Sequence, residues 1–351
     1  MGFGSMLQKV FVSTEKKDWE PIDISDCVGW WDFTDATTMW VDSRPHDGFP
    51  NFDPVPRTSD DNVSSDGDAI EAIDNKAYYK QNNNANALGS YLQGSTSTSS
   101  SSHREYKTGG ANGYSYARLG NNATFKAGLG GDGGVGDKID LSGDVLDPDH
   151  VKNWPLSEST ISLDNFTIFL VADARNGDGR AFSIFGDKED NNDSSRKEFH
   201  LYHDRTTPFA SQYKIDCYDG STTTTISSGT SGKSDNLHII TGVLSGSGDS
   251  QLYRDGDNTD GTTTANSGSG SIDITHSSPN IYQKENRIIV GRNMNLGAIS
   301  DSTSGSSASP GWSWGDGSND RLYEIICYNR ELTAEEISTV ETNLKTKYDI
   351  S

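Results

Sequence analysis

From Phe166 onward the chain breaks into short apolar stretches, each separated from the next by Gly, Asp, Asn or Ser. "FTIFLVADA" (166–174) leads into "AFSIFGD", "EFHLYHD", "YKIDCYDG", "LHIITGVL", "SQLYRDGD", "RIIVGRN" and "RLYEIICYNR". Segments of that length, rich in β-branched and aromatic residues and bounded by turn formers, read as strands of an antiparallel sandwich or barrel. The first of them is apolar on both sides, with Phe166, Ile168 and Leu170 set against Phe169 and Val171. It therefore belongs in the middle of a sheet covered on both faces. The Asp-Gly pair in "YRDGDNTDG" predicts a tight hairpin turn.

The last of these strands runs into a different pattern. Thr333 and Glu336 form a T-x-x-E capping box, and Ile337, Val340, Leu344 and Tyr348 recur at helical spacing. Lys345 and Lys347 fall in the final turns, where positive charge complements the helix dipole. The spacing predicts one helix over 333–348 that docks on the strands by its apolar stripe. Burial of those four side chains is worth on the order of 6–12 kcal/mol before conformational entropy is set against it.

Residues 1–26 carry mixed charge with little alternation and read as an N-terminal arm, the anchor to a partner, ahead of a β-domain spanning 27–351. "CVGWWDFTDATTMWVDS" opens that domain with Trp30, Trp31, Phe33 and Trp40, large rings that require a core. A proline- and Asp-rich loop follows, then "GDAIEAIDNKAYYK", with room for a turn or two of helix. "GSTSTSSSS" (94–102) is a low-complexity polar tip. In "GGANGYSYARLG", Tyr114, Tyr116 and Arg118 alternate with Ser115, Ala117 and Leu119 after a Gly-rich approach.

Only 32% of residues are hydrophobic, yet 7 Trp, 14 Tyr and 12 Phe argue for a real core dressed with long polar loops. With 51 acidic against 29 basic residues the net charge is -22, a surface that repels nucleic-acid phosphates. Cys27, Cys217 and Cys327 are too few and too far apart for a disulfide framework or a zinc site. The N-terminus lacks the apolar core of a secretory signal, and no apolar run is long enough to cross a bilayer, so synthesis in a cytoplasm without export or membrane insertion is expected.

"RLYEIICYNRELTAEEISTVETNLKTKYDI" resembles the C-terminal signature of concanavalin A-like (laminin-G-like) jelly-roll domains, a strand leading into a T-x-x-E-I helix that ends near K-Y. "GWWDFTDATTMWVDS" resembles their opening strand, and "FTIFLVADA", "QLYRDGD" and "RIIVGRN" stand in the family's order over roughly residues 27–350. The resemblance implies an all-β, antiparallel jelly-roll β-sandwich with a short C-terminal α-helix and long polar loops. The style of the sequence is similar to structural proteins of tailed phages that infect marine bacteria and cyanobacteria. That resemblance implies a non-enzymatic virion protein (a capsid decoration, fibre or knob) that joins other virion proteins through its arm and forms a homo-oligomer such as a trimer. The alternative is a carbohydrate-binding adhesion module that recognises cell-surface glycans.

No catalytic constellation stands out. The E-x-D-x-x-E strand that would flank a glycosidic bond with two carboxylates is missing, as are G-x-S-x-G and H-E-x-x-H. "SGTSGKSD" departs from a phosphate loop at Ser227, and His200 and His203 fall on opposite faces of a strand. Asp187, Glu189, Asn191, Asp193 and Glu198 occupy calcium-loop spacings, although Asn192 replaces the turn glycine. They are the candidate ligands for a structural Ca2+; no other cofactor is expected. Trp312 and Trp314 in "PGWSWGDG" are the candidate glycan-stacking residues.

Overall fold

Alternate residues of a strand face opposite ways, and that period sorts the chain into two stacked sheets. A computed structural model describes residues 19–41, 59–82, 87–88, 91–94, 104–119, 125–127, 160–162, 165–173, 179–186, 197–207, 210–218, 223–227, 231–232, 237–246, 250–258, 271–273, 287–290 and 320–351. The first strands are β1 (Cys27–Asp32), β2 (Met39–Trp40), β3 (Ala72–Asp74), β4 (Tyr91–Gly94), β5 (Arg104–Lys107), β6 (Tyr116–Leu119) and β7 (Phe125–Ala127). Next come β8 (Thr160–Ser162), β9 (Asn165–Asp173), β10 (Gly179–Gly186), β11 (Lys197–Thr207), β12 (Ala210–Tyr218), β13 (Thr223–Ser227) and β14 (Ser231–Gly232). The last are β15 (His238–Ser245), β16 (Gln251–Arg254), β17 (Asp257–Asn258), β18 (Ser271–Asp273), β19 (Arg287–Val290) and β20 (Asp320–Tyr328). Two α-helices, α1 (Lys76–Lys80) and α2 (Ala334–Tyr348), and four short 3-10 helices complete the described elements.

The first sheet has the order β17-β16-β15-β9-β20-β6-β5, and the second β13-β12-β11-β10-β19-β7-β4-β3-β2. In the first, β20 offers one edge to β9 and the other to two strands in succession, β6 along Asp320–Leu322 and β1 along Glu324–Tyr328. In the second, β14 also pairs with β12. A separate ribbon joins β8 to β18. All these pairings are antiparallel, so the expected all-β antiparallel sandwich with its C-terminal helix is the observed architecture.

Phe166, Ile168 and Leu170 of β9 face Phe182, Ile184 and Phe199 of the second sheet across the core. The Phe166 and Phe199 rings meet edge to face at 5.4 Å, and Trp31 lies 6.0 Å from Phe182. A Cβ on Gly242 would collide with Ile215, so a glycine in β15 lets the sheets close at this point. The alternate residues of β9, Phe169 and Val171, pack instead under α2 with Ile326, Val340 and Leu344. The first sheet is thus buried on both faces, as the two-sided apolarity of residues 166–174 predicts.

The helix is capped as its sequence dictates. The Thr333 amide donates to Glu336 Oε2 at 2.9 Å and the Glu336 amide to Thr333 Oγ1 at 3.3 Å. Ile337, Val340, Leu344 and Tyr348 are all buried. The helix ends on Asp349 in the left-handed region, at φ 55°. The Asp255–Gly256 turn also forms as expected, both residues having positive φ between β16 and β17.

Residues 19–26, the last part of the expected arm, pack on the body. Trp19, Ile22 and Ile24 pack on the layer beneath α2, and the buried Tyr328 hydroxyl donates to the Pro21 carbonyl at 2.9 Å. The folded body therefore includes residues 19–26; residues 1–18 lie outside the described residues. "GDAIEAIDNKAYYK" supplies both β3 and the single turn of α1.

Candidate functional site

The strongest carboxylate pair in the described structure lies beneath the helix. Asp32 and Glu324 are cross-strand partners on β1 and β20, and both are almost fully buried. Lys347 reaches both, at 3.3 and 2.8 Å, and Lys76 reaches Asp32 at 3.1 Å. Trp30 Nε1 and the Tyr348 hydroxyl donate to Glu324 at 2.7 Å each. Burial opposes the charge of Asp32, but Lys347 and Lys76 outweigh it and hold the carboxyl below its ordinary range. Lys347 is held well above its ordinary value: burial works against its charge, and Glu324 and Asp32 overcome it. Two carboxylates neutralised by lysines and closed off from water hold a helix down; they offer no substrate a free acid or base.

A second cluster reaches the surface. The β5–β6 connection carries the "GGANGY" stretch, with Gly109, Asn112 and Gly113 all at positive φ. A Cβ on Gly110 would come within 2.7 Å of both the Tyr116 ring and the Tyr323 hydroxyl, so this loop lies directly against β20. The Ala111 amide donates to the Tyr323 hydroxyl at 3.1 Å, and Asn112 Nδ2 to the Lys347 carbonyl at 2.9 Å. These bonds seat the loop on the end of α2.

Four tyrosines then form a chain of ring contacts. Tyr114 meets Tyr348 at 5.6 Å and 63°, Tyr348 meets Tyr323 at 5.5 Å and 70°, and Tyr323 meets Tyr116 at 5.5 Å. Edge-to-face contacts of this kind add rigidity beyond area burial. Lys347 Nζ lies 5.6 Å from the Tyr114 ring centre, and the Arg321 guanidinium 4.9 Å from that of Tyr116. Tyr114 is 37% exposed while Tyr348 and Tyr323 are buried beneath it. The result is an aromatic face held from behind and bordered by amide and cationic groups.

Trp312, Trp314, Asp187, Glu189, Asn191 and Asp193 lie outside the described residues. Glu198 lies on β11, opposite Phe185 and Tyr218. His200 and His203 take opposite faces of β11 as expected: His203 contacts Tyr213 of the core, ring centres 5.0 Å apart, whereas His200 shares the other face with its cross-strand partner Asp216. Among the described residues no group of three or more His, Cys, Asp or Glu side chains is placed to hold a metal ion. Cys27, Cys217 and Cys327 are buried free thiols, and burial pushes all three upward in pKa. No helix of the described residues is long and apolar enough to cross a membrane.

The tyrosine corner escapes a reading of the sequence because its four rings come from three elements, the start of β6 with the loop before it, β20 and α2. The alternation of Tyr114 and Tyr116 marks half of it. The helix pattern assigns Tyr348 to the apolar stripe and Lys347 to the dipole, with nothing to indicate that either meets residue 114.

No family model and no curated protein matches this chain. Among solved structures it is similar to the Trypanosoma rangeli sialidase, at 11% identity over 92% of this chain and 33% of that one, with a TM-score of 0.35. It is also similar to the binding domain of Paraclostridial Mosquitocidal Protein 1, at 12% identity over 80% of this chain and 51% of that one, TM-score 0.39. A third is the CBM40 of the Ruminococcus gnavus IT-sialidase, solved with α2,3-sialyllactose, at 13% identity over 51% and 84% of the two chains, TM-score 0.31. The chain spans about a third of the length of the sialidase. These similarities concern the layout of sheets and transfer no residue role to this chain.

Proposed function

We propose that this chain is a non-enzymatic, lectin-like adhesion module that binds cell-surface glycans, with Tyr114 as the ring on which a sugar stacks. The observation that carries the reading is the partly exposed Tyr114 ring, braced by Tyr348 and carried on a loop that Asn112 seats on the end of α2. A pyranose presents a C–H face to such a ring, while its hydroxyls need nearby hydrogen-bonding groups, the combination that small-ligand sites supply. Preordering the ring lowers the entropy lost on binding. The competing account is that the cluster only secures the end of α2. Tyr114→Ala distinguishes them when binding and folding are followed together, because losing the edge contact to Tyr348 costs the fold only about 1 kcal/mol. Glycan-array binding by the folded variant should fall at least tenfold; undiminished binding, or no glycan bound by the parent chain, refutes the proposal.

A second reading is display of this module on a tailed-phage virion, with residues 1–18 as the anchor ahead of residues 19–26, which pack on the body. Deletion of residues 1–18 should leave the fold intact and abolish incorporation into particles. Incorporation at the parent level would remove this reading while leaving the glycan proposal standing.

A further inference from the structure

β20 does not keep a period of two along its whole length. Its register against β9 shifts between Leu322 and Glu324, so Tyr323 is the extra residue of a bulge. Leu322 and Ile325 face the core between the sheets. Tyr323 and Glu324, consecutive in sequence, both lie on the α2 side. The bulge stands where β20 changes partner, since pairing with β6 ends at Leu322 and pairing with β1 begins at Glu324. The Phe33 amide donates to the Tyr323 carbonyl at 2.9 Å and pins the bulge in place. A bulge re-aims a side chain that a regular strand would point elsewhere.

The re-aimed side chain reaches the loop that carries Tyr114. The buried Tyr323 hydroxyl accepts the Ala111 amide at 3.1 Å, and Gly110 packs on it with no room for a Cβ. Those two residues in turn hold Tyr114: the Gly110 amide donates to the Tyr114 carbonyl at 2.8 Å, and the Tyr114 amide to the Ala111 carbonyl at 2.9 Å. The Tyr323 ring also meets Tyr348, whose ring braces that of Tyr114. Backbone and ring of residue 114 are thus both located from one buried side chain.

We propose that Tyr323 is the positioning residue of the glycan site, an inference that rests on the reading of Tyr114 as the stacking ring. Its hydroxyl fixes the loop so that Tyr114 meets a sugar in one placement. A ring that holds the competent placement only part of the time loses apparent affinity in proportion to that fraction. Without the hydroxyl, the Ala111 amide loses its acceptor and space opens over Gly110. The loop is then free to leave the position it holds in this structure, although every ring of the corner remains.

The full chain, Tyr323→Phe and Tyr114→Ala are titrated over one array of neutral and acidic pyranosides, at a temperature where each is folded. Tyr323→Phe should raise the apparent Kd of the bound glycans about three- to tenfold. A residue that only stabilised the fold would leave the affinity of folded protein unchanged. Hydrogen exchange at the Ala111 and Tyr114 amides should quicken about tenfold in Tyr323→Phe, with that of α2 unaltered. An unchanged Kd or unchanged exchange at those amides overturns the inference; if Tyr114→Ala weakens binding in the same experiment, the reading of Tyr114 still stands. A parent chain that binds no glycan removes both. Should Tyr323→Phe fail to fold, Gly110→Ala decides the matter, because its methyl group lifts the loop from an intact hydroxyl. It should weaken binding to a similar degree, and full affinity in folded Gly110→Ala protein overturns the inference.

Discussion

The two ends of α2 are tied down by the same chemistry in different surroundings. At its start, Arg330 grips Glu336 through two parallel bonds of 2.8 and 2.7 Å, with both side chains about a quarter to a third exposed. At its finish, Lys347 bonds Glu324 and Asp32, whose side chains are 2% and 6% exposed. Water competes for both partners of the first pair and is excluded from the carboxylates of the second. An exposed pair contributes about 1 kcal/mol or less. A buried pair adds little net stability over an apolar substitute, but removing one member leaves a charge with no solvent to receive it. The first end sets where the helix begins; the second makes the docked position intolerant of change.

The largest expected effect tests what both ends depend on. Leu344→Asp places a carboxylate among the buried apolar residues under the helix. The cost should be about 4 kcal/mol or more, from lost burial and an unpaired buried charge. A melt unchanged within about two degrees would mean that the helix does not hold the sandwich. Glu324→Gln comes second. It retains an acceptor for Trp30 and removes the charge that Lys347 was buried against, for a loss of about 2–4 kcal/mol in urea unfolding. Adding Lys347→Met should restore part of that loss. If the double variant is less stable than Glu324→Gln alone, burial is not what separates the two ends.

The exposed end was legible in the sequence, and the buried end was not, for a physical reason. A capping box is local: Thr333 and Glu336 are three positions apart, and their bonds follow from helix geometry alone. The apolar stripe from Ile337 to Tyr348 is equally local, as is the period-two apolarity of residues 166–174. Glu324 and Asp32 are separated by 292 positions and meet only because β1 pairs with β20 in one register. Glu324 interrupts the apolar run from Leu322 to Tyr328, and a carboxylate there signals a buried partner without saying which. Glu341 hides in the same way: it reads as a solvent-facing helix residue, yet it is buried and accepts from Thr241 at 2.7 Å. The tyrosine corner combines both kinds of signal, alternation in one segment and long-range assembly with another.

The smallest effect is the most specific. Arg330, and after it the Thr333 amide, hold the Glu336 carboxyl at about 2, down from its usual 4.5. A carboxyl whose folded pKa is depressed binds fewer protons than in the unfolded chain, so its contribution is present above pH 4.5 and is lost as pH falls toward 2. Glu336→Gln should therefore lower stability at pH 7 by about 1 kcal/mol or less and flatten its decline between those two values. Raising salt to about 0.5 M should shrink the difference between parent and variant, since that pair is reached by counterions. Lys347 predicts the opposite arm for the buried end. Its pKa is raised on folding, so its contribution is complete below its ordinary value of 10.5 and is lost only as pH climbs beyond that, with little response to salt. Denaturant midpoints measured from acid to alkali at two salt concentrations separate the ends. An acid limb unaltered by Glu336→Gln, or an alkaline limb as salt-sensitive as the acid one, would show that burial does not divide them.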